Sequence, residues 1–429
     1  MNTPMHYDAL EARDPALREA SLMEALACQV AHAQAHSPAQ AKRLAGIDAA
    51  DVRSRAALAR LPVLRKSELL AEQASQRGEG DPFAGYAACG WRGLPYLRSA
   101  RRVFQSPGPL YEPQGGTGDA WRLGRALFAA GFRAGDLVHN SFSYHLTPAG
   151  FMMEEGAFAL GCTVFPGGVG NTDLQLAAMA DLRPCGYCGT PGFLKTLIET
   201  AVGRGAGVSF LERALFSGEA FPPSLRTWMR GHGVEGLQCY ATADLGLIAY
   251  ETPACEGMVL DENVIVEIVR PGTGDPVPEG EVGEVVVTSL DPNYPLIRFG
   301  TGDLSAVLPG HCPTGRTNIR IRGWMGRADQ TTKVRGMFVT PAQVAQVLQR
   351  HPVVGRARLV VEGRIGDERM VLHAEAAAAQ DGGNAGATLA ESLVASLREV
   401  TKLRGEARLV VPGSLPADGK VIEDLRDYS

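Results

Sequence analysis

The chain has 429 residues, room for two or three domains at roughly 150 residues each and far more than a disulfide- or metal-nucleated scaffold needs. Its 45% apolar and 21% charged residues belong to a globular chain, and a net charge of −5 supplies no positive field for nucleic acid or anionic lipid. No run of about 18 apolar residues is present to cross a bilayer, and the acidic start MNTPMHYDALEARDP is unlike a secretory signal, so a cytoplasmic protein with eight reduced, packed cysteines is expected.

Asp14-Pro15 reads as an N-cap with proline in the first turn, and Leu17, Ala20, Met23, Ala27 and Val30 follow at helical spacing. Short strands predicted at 137–140, 163–165, 215–217 and 238–240 alternate with helical stretches, the pattern of crossover units around a largely parallel sheet. Among these, Thr172 and Gln175 form a capping-box pattern whose helix should stop near Pro184. Cys185-Gly-Tyr-Cys-Gly-Thr-Pro-Gly192 reads as a strand running into a glycine-rich loop. β-Branched runs at 264–269 and 284–289, split by Pro-Gly-Thr-Gly and Pro-Glu-Gly turns, predict antiparallel strands within a β subdomain over 256–326. The remaining 327–429 has the size of a separate α/β domain. It carries a helix capped by Thr340-Pro341 and Gln343, strands at 358–361, 370–375 and 408–411, a helix over 389–401, and an Ala- and Gly-rich surface loop over 376–388. The expected fold class is therefore α/β, with a large N-terminal domain, 1–326, of mixed, largely parallel sheets plus a β subdomain, and a small α/β C-terminal domain.

Three segments follow strands, where ligands of open α/β sheets bind. In Gln114-Gly-Gly-Thr-Gly-Asp119, the backbone of Gly115, Gly116, Thr117 and Gly118 can cradle phosphate or simply turn the chain. In Tyr240-Ala-Thr-Ala-Asp244, the acid can hold a metal ion or cap a helix. Arg298-Phe-Gly-Thr-Gly-Asp303 reads as a mobile turn whose carboxylate can accept two hydrogen bonds from a ribose diol, or as a plain turn aspartate. Cys185 and Cys188 suit packing better than redox or zinc chemistry, whereas Cys255, His311 and Cys312 flank the β subdomain as a three-ligand zinc candidate.

Two further pieces complete an ordered set, Gly326-Arg-Ala-Asp-Gln-Thr-Thr-Lys-Val-Arg-Gly336 and Leu415-Pro-Ala-Asp-Gly-Lys-Val421. That order resembles the adenylate-forming superfamily, and within it the phenylacetate-CoA ligases. Tyr7-Asp-Ala-Leu-Glu-Ala-Arg-Asp14, Leu61-Pro-Val-Leu-Arg-Lys66, Val138-His-Asn-Ser-Phe-Ser-Tyr144 and Gly167-Gly-Val-Gly-Asn-Thr172 are similar to that family's own segments. The resemblance implies ATP, Mg2+ and coenzyme A as cofactors, a small-molecule carboxylic acid as substrate, and a homodimer. It implies two half-reactions: the carboxylate attacks ATP to give acyl-adenylate and pyrophosphate, then coenzyme A displaces AMP, with the C-terminal domain rotating between the steps. Position by position, Lys420 corresponds to the catalytic lysine, Asp303 to the ribose aspartate, Tyr240 to the aromatic on adenine, and Ser217, Gly218 and Glu219 to the adenine edge. Ala241 and Thr242 continue the nucleotide segment, with Asp244 as the magnesium ligand. Arg327 corresponds to the nucleotide-side arginine, Asp329 to the hinge, Arg335 and Gly336 to the pantetheine passage, and Tyr144 and His145 to the acyl pocket, with core packing an equal alternative for Tyr144. Where the family has Ser-Ser-Gly-Thr-Thr-Gly-Lys-Pro, this chain has Pro113-Gln-Gly-Gly-Thr-Gly-Asp-Ala120, which places an acid, Asp119, where a base would meet phosphate. The alternatives are an adenylating or acyl-transferring homologue with a different acceptor, and a non-catalytic relative.

Overall fold

The computed structural model describes residues 5–426 except 79, 97, 117, 271–273, 329–331, 365–366, 378–383 and 416–420. The chain forms two compact units, Met1–Gly326 and Arg327–Ser429.

A nine-stranded sheet spans the first unit in the order Val307–Leu308, Arg320–Ile321, Met258–Leu260, Gly246–Glu251, Glu235–Thr242, Arg213–Phe216, Gly186–Gly189, Leu137–Asn140 and Thr163–Pro166. From Glu235–Thr242 to Thr163–Pro166 the pairing is parallel, with crossover helices between strands, as the alternating pattern predicts. The other half is antiparallel. Helices cover both faces of the parallel half, which explains why its strands are short apolar runs without polar alternation. Cys188 and Leu215 point into one hydrophobic cluster, and Tyr187, Ala214 and Phe216 into the other. The strand Gly186–Gly189 does not run into a loop: Thr190 caps the helix Pro191–Gly203 by accepting the amide of Phe193 at 3.3 Å.

A second sheet orders Leu64–Arg65, Phe299–Ser305, Gly283–Ser289 and Val264–Val269, the last three antiparallel. Val264–Val269 is buried on both faces, with Val264, Val266 and Ile268 on one side and Ile265 against the helix Pro15–His36 on the other. That helix starts as predicted, Asp14 accepting the amides of Ala16 and Leu17 at 2.8 and 3.1 Å. Its buried stripe is Leu22, Met23, Leu26, Ala27 and Val30, whereas Leu17 is 66% exposed, so the apolar face begins one turn later than its spacing suggests. Residues expected to form the mobile turn before Asp303 are strand: Val286 pairs with Gly300 and Val287 with Phe299, and Thr301 Oγ1 donates to the carbonyl of Val285. The glycines here fit a crowded sheet. A Cβ on Gly300 would meet Glu284 Oε1 at 2.8 Å.

The helix Thr172–Leu182 stops before Pro184 as expected, but it is not opened by a capping box. Asn171 precedes it in a left-handed conformation, and Gln175 turns back to donate to the carbonyls of Gly168 and Gly170.

In the second unit Glu406–Val410, Asp367–Glu375, Ala357–Arg364 and Ile422–Asp424 form one sheet, packed by Pro341–Gln349 and Asn384–Thr401. The capping box is present, Thr340 Oγ1 accepting from the amide of Gln343 while Gln343 Oε1 accepts from that of Thr340. The helix already begins at Asn384, within the expected loop over 376–388, of which 378–383 lie outside the described residues. Among the described residues no helix is long and apolar enough to cross a membrane.

Candidate active site

Pairing in the large sheet changes from parallel to antiparallel at Glu235–Thr242, and side chains of the first unit converge at the C-terminal ends of this strand and its parallel neighbour. Ser217, just past Arg213–Phe216, donates its hydroxyl to the carbonyl of Cys239 at 3.0 Å. Gly218 follows with φ +79°, a left-handed conformation that a side chain would strain. Glu219 is pinned from two sides: its carboxylate accepts the amide of Gly192 at 3.2 Å, and its carbonyl accepts from Gln238 Nε2 at 3.0 Å.

The register of Glu235–Thr242 shifts between Tyr240 and Ala241, and bulges of this kind re-aim a side chain. Tyr240 donates its hydroxyl to Asp303 Oδ2 at 2.8 Å, so a residue of the nine-stranded sheet grips one of the four-stranded sheet. The indole N–H of Trp324 donates to the other oxygen, Oδ1, at 3.1 Å. Thr242 Oγ1 accepts the amide of Leu245 at 3.2 Å, closing the turn that carries Asp244.

Asp244 caps no helix. Its side chain is 1% exposed and Oδ2 takes the ammonium of Lys66 at 2.6 Å. Beside it lies Glu112, whose Oε2 accepts the hydroxyl of Ser106 at 2.6 Å. Burial first, and the charge of Asp244 next, push the Glu112 carboxyl well above the usual carboxylate range. Glu112 Oε1 and Asp244 Oδ1 are both buried and accept no hydrogen bond among the described residues.

The glycine loop leaves the strand Leu110–Gln114, where the Gln114 carboxamide donates to both oxygens of Glu155 at 2.9 and 2.8 Å. A Cβ on Gly115 would stand 2.3 Å from the side chain of Asn293, which packs where a larger residue would leave no room, and Gly118 has φ +69°. Asp119 is turned to the helix that follows the loop. Its two oxygens accept the amides of Leu123 and Gly124 at 2.8 and 2.7 Å, capping the helix Leu123–Ala129, and burial raises its carboxyl to about 6. The acid that replaces the family's lysine thus serves the helix behind the loop.

Tyr144 donates to Glu154 at 3.0 Å, accepts from Asn140 at 2.8 Å and meets Phe151 edge-on, while its neighbour His145 is exposed. Among the described residues no three His, Cys, Asp or Glu side chains form a metal-holding group, and Cys255, His311 and Cys312 do not come together as one. The thiol of Cys312 instead contacts the hydroxyls of Thr252 and Thr314 at 3.5 and 3.1 Å. Cys185 and Cys188 are unbridged, and burial pushes both thiols up. In the second unit Arg335 and Gly336 are the exposed two-residue turn between Thr332–Val334 and Met337–Val339, both at positive φ, +48° and +82°. Arg327 opens that unit. Thr117, Asp329 and Lys420 lie outside the described residues. Three residues of the site were not anticipated as such: Lys66, Glu112 and Trp324. Only Lys66 lies in a segment noted for its resemblance, and no spacing links it to Asp244, which is 178 positions away.

A glycine loop and a strand-end carboxylate held by an aromatic hydroxyl are features that match an adenylate-forming protein. The family described as AMP-binding enzyme matches residues 123–290. Phenylacetate-coenzyme A ligase of Aromatoleum evansii is 30% identical over 347 residues, 77% of this chain and 75% of that one. The chain belongs to the phenylacetate-coenzyme A ligase family. The ligase of Thermus thermophilus is 34% identical over 248 residues, and the match spans about half of it, 56%. Among solved structures, 2-hydroxyisobutyryl-CoA ligase in complex with 2-HIB-AMP and CoA superposes with a TM-score of 0.80 at 23% identity, covering 97% of this chain and 92% of that one.

Proposed function

We propose that the chain activates an aryl or related carboxylic acid with ATP, forming an acyl-adenylate and pyrophosphate, and then passes the acyl group to coenzyme A with release of AMP. The observation that carries this reading is the Asp303 carboxylate, held by Tyr240 next to the Ser217–Cys239 contact. A bound adenosine needs these groups together: a carboxylate for the ribose diol, an aromatic face for the base, and main chain along the base's edge. Family membership over three quarters of the chain supports the same reading.

In this reading Gly115, Gly116, Thr117 and Gly118 offer main-chain N–H groups to the phosphates. The buried oxygens Asp244 Oδ1 and Glu112 Oε1, which accept no hydrogen bond among the described residues, fit a hard divalent ion that keeps its waters and binds one or two carboxylates. Asp244 would hold magnesium, whose charge, when bound, offsets that of the triphosphate. Lys420 bridges the attacking carboxylate and the phosphate oxygens, a task suited to a compact ammonium on a flexible stem. Arg327 steadies the nucleotide, Asp329 is the hinge, Arg335 and Gly336 border the pantetheine path, and Tyr144 lines the acyl pocket. The test is ATP–pyrophosphate exchange across aromatic and aliphatic acids. Lys420→Ala should slow acyl-adenylate formation at least about 100-fold, the scale of one preorganised charge, while sparing thioester formation from preformed adenylate. Equal loss of both steps would sink the Lys420 assignment, and exchange with no acid would sink the ligase reading.

A further inference from the structure

We infer that Arg122 is a positioning residue that holds the turn carrying Asp244 in register with the exit of the glycine loop. The inference rests on the nucleotide reading above and adds to it a residue that neither motif order nor resemblance singled out. The guanidinium joins two segments far apart in sequence. Nη2 donates to the carbonyls of Leu245 and Leu247 at 2.6 and 3.0 Å, and Nη1 donates to the carbonyl of Ala120 at 3.3 Å. Nε lies 2.8 Å from Oδ1 of Asp261, a fully buried carboxylate. One rigid, planar cation thus grips the main chain just past Asp244 on one side and the loop exit on the other.

The backbone is built for this contact. The amide of Leu247 donates to the carbonyl of Trp121 at 3.0 Å, and a Cβ on Gly246 would stand 2.9 Å from that same carbonyl oxygen, so the turn lies directly on the loop exit. Arg122 has φ +68°, a left-handed conformation that costs a residue with a side chain, and its amide donates to the carbonyl of Asp119 at 3.0 Å. The strain falls between the loop and the helix that Asp119 caps. A triphosphate with its divalent ion needs both segments at once, because its oxygens meet the loop while the ion meets Asp244. A nucleoside monophosphate lacks the outer phosphates and makes no such demand.

The experiment is a calorimetric titration of Mg-ATP, of ATP with EDTA and of AMP against the full-length protein, Arg122→Lys, Asp244→Asn and the double variant. Lysine keeps a positive charge for Asp261, which also has Arg125 Nε at 3.5 Å, but a point donor does not span the three carbonyls in one plane. Arg122→Lys should weaken Mg-ATP about tenfold, inside the roughly 100-fold that a misplacement of about 1 Å can cost, and leave AMP within about twofold. In the Asp244→Asn background the same substitution should change Mg-ATP affinity by less than about twofold, because no carboxylate is left to misplace. Equal weakening of both nucleotides would mean that the guanidinium only supports the fold. Unchanged Mg-ATP affinity, or a tenfold loss that persists in the Asp244→Asn background, would mean that it does not act through Asp244. Each of these overturns the inference and leaves the nucleotide site standing. A wild type that binds ATP no better with magnesium than with EDTA removes the metal-side premise and the inference, whereas one that binds neither nucleotide removes the nucleotide reading as well. Thermal unfolding checks that each variant is folded, and Arg122→Gln is titrated in place of a lysine variant that is not.

Discussion

Arg298 is the largest fully buried side chain among the described residues, 2% exposed, and every arm of its guanidinium is engaged. Nε and one terminal nitrogen clasp Glu267 at 2.9 and 3.1 Å, and the rest donate to the carbonyls of Ala59, Leu61 and Gly274 at 2.8, 2.6 and 2.7 Å. Arg298→Met keeps much of the volume and strands a carboxylate that is 7% exposed. Removing one partner of a buried pair costs about 3–5 kcal/mol, and the three carbonyls that lose a donor place the outcome toward the upper end. Against a total stability of about 5–15 kcal/mol, this should lower the urea midpoint by more than about 1 M. All four tryptophans lie before residue 327, so tryptophan fluorescence follows the first unit. Burial, opposed by Arg298, already holds the Glu267 carboxyl above its ordinary range. Without this arginine, burial is opposed only by the charge of Arg55, and the folded state grips the proton more tightly than the unfolded chain does. Such a group contributes stability at low pH that is lost as pH rises through its folded value, so the deficit of Arg298→Met should be smaller at pH 5 than at pH 8. Arg298→Met with Glu267→Leu should recover most of the loss, because a well-packed apolar pair replaces a buried ion pair at little cost. A single variant within about 1 kcal/mol of wild type, or a deficit independent of pH, would refute the desolvated-carboxylate account.

Asp119→Lys should leave ATP affinity no tighter than wild type by calorimetry and lower the melting temperature, because the carboxylate it removes caps Leu123–Ala129. The Asp119 carboxyl is raised to about 6, so its contribution to stability is full below about pH 4 and fades as pH climbs through 6; Asp119→Asn should abolish that slope in urea titrations. Lys66→Met leaves Asp244 without the ammonium at 2.6 Å and should cost about 1–3 kcal/mol in urea unfolding, less than a fully enclosed pair because Lys66 is 36% exposed.

Where local sequence decides structure, the reading from sequence holds closely. The strands at 137–140 and 264–269 have the predicted ends, and the caps at Asp14 and Thr340 bond as their residue types dictate. It fails where a long-range neighbour overrides the local signal. Gly300 suggests a turn until its crowded sheet neighbours are known, and Gln175 leaves a capping pattern because His139 and the carbonyls of Gly168 and Gly170 offer it partners. The site follows the same division. Motif order locates Tyr240, Asp303 and Ser217, whereas Lys66 and Trp324 join through contacts between segments far apart in sequence or outside any motif, which no spacing rule encodes.

The cap at Asp119 has a bearing on mutational paths. The family's lysine and this helix's start compete for one position, so restoring the lysine by a single substitution first removes two amide acceptors and only then offers charge to a phosphate. The gain appears only once a second change supplies a new acceptor for Leu123 and Gly124. If the loop binds phosphate as proposed, the lysine substitution is therefore epistatic in sign: harmful alone and favourable once the new acceptor is in place. The loop acts as a one-way step, and an engineer wishing to reverse it must rebuild the beginning of the helix in the same move.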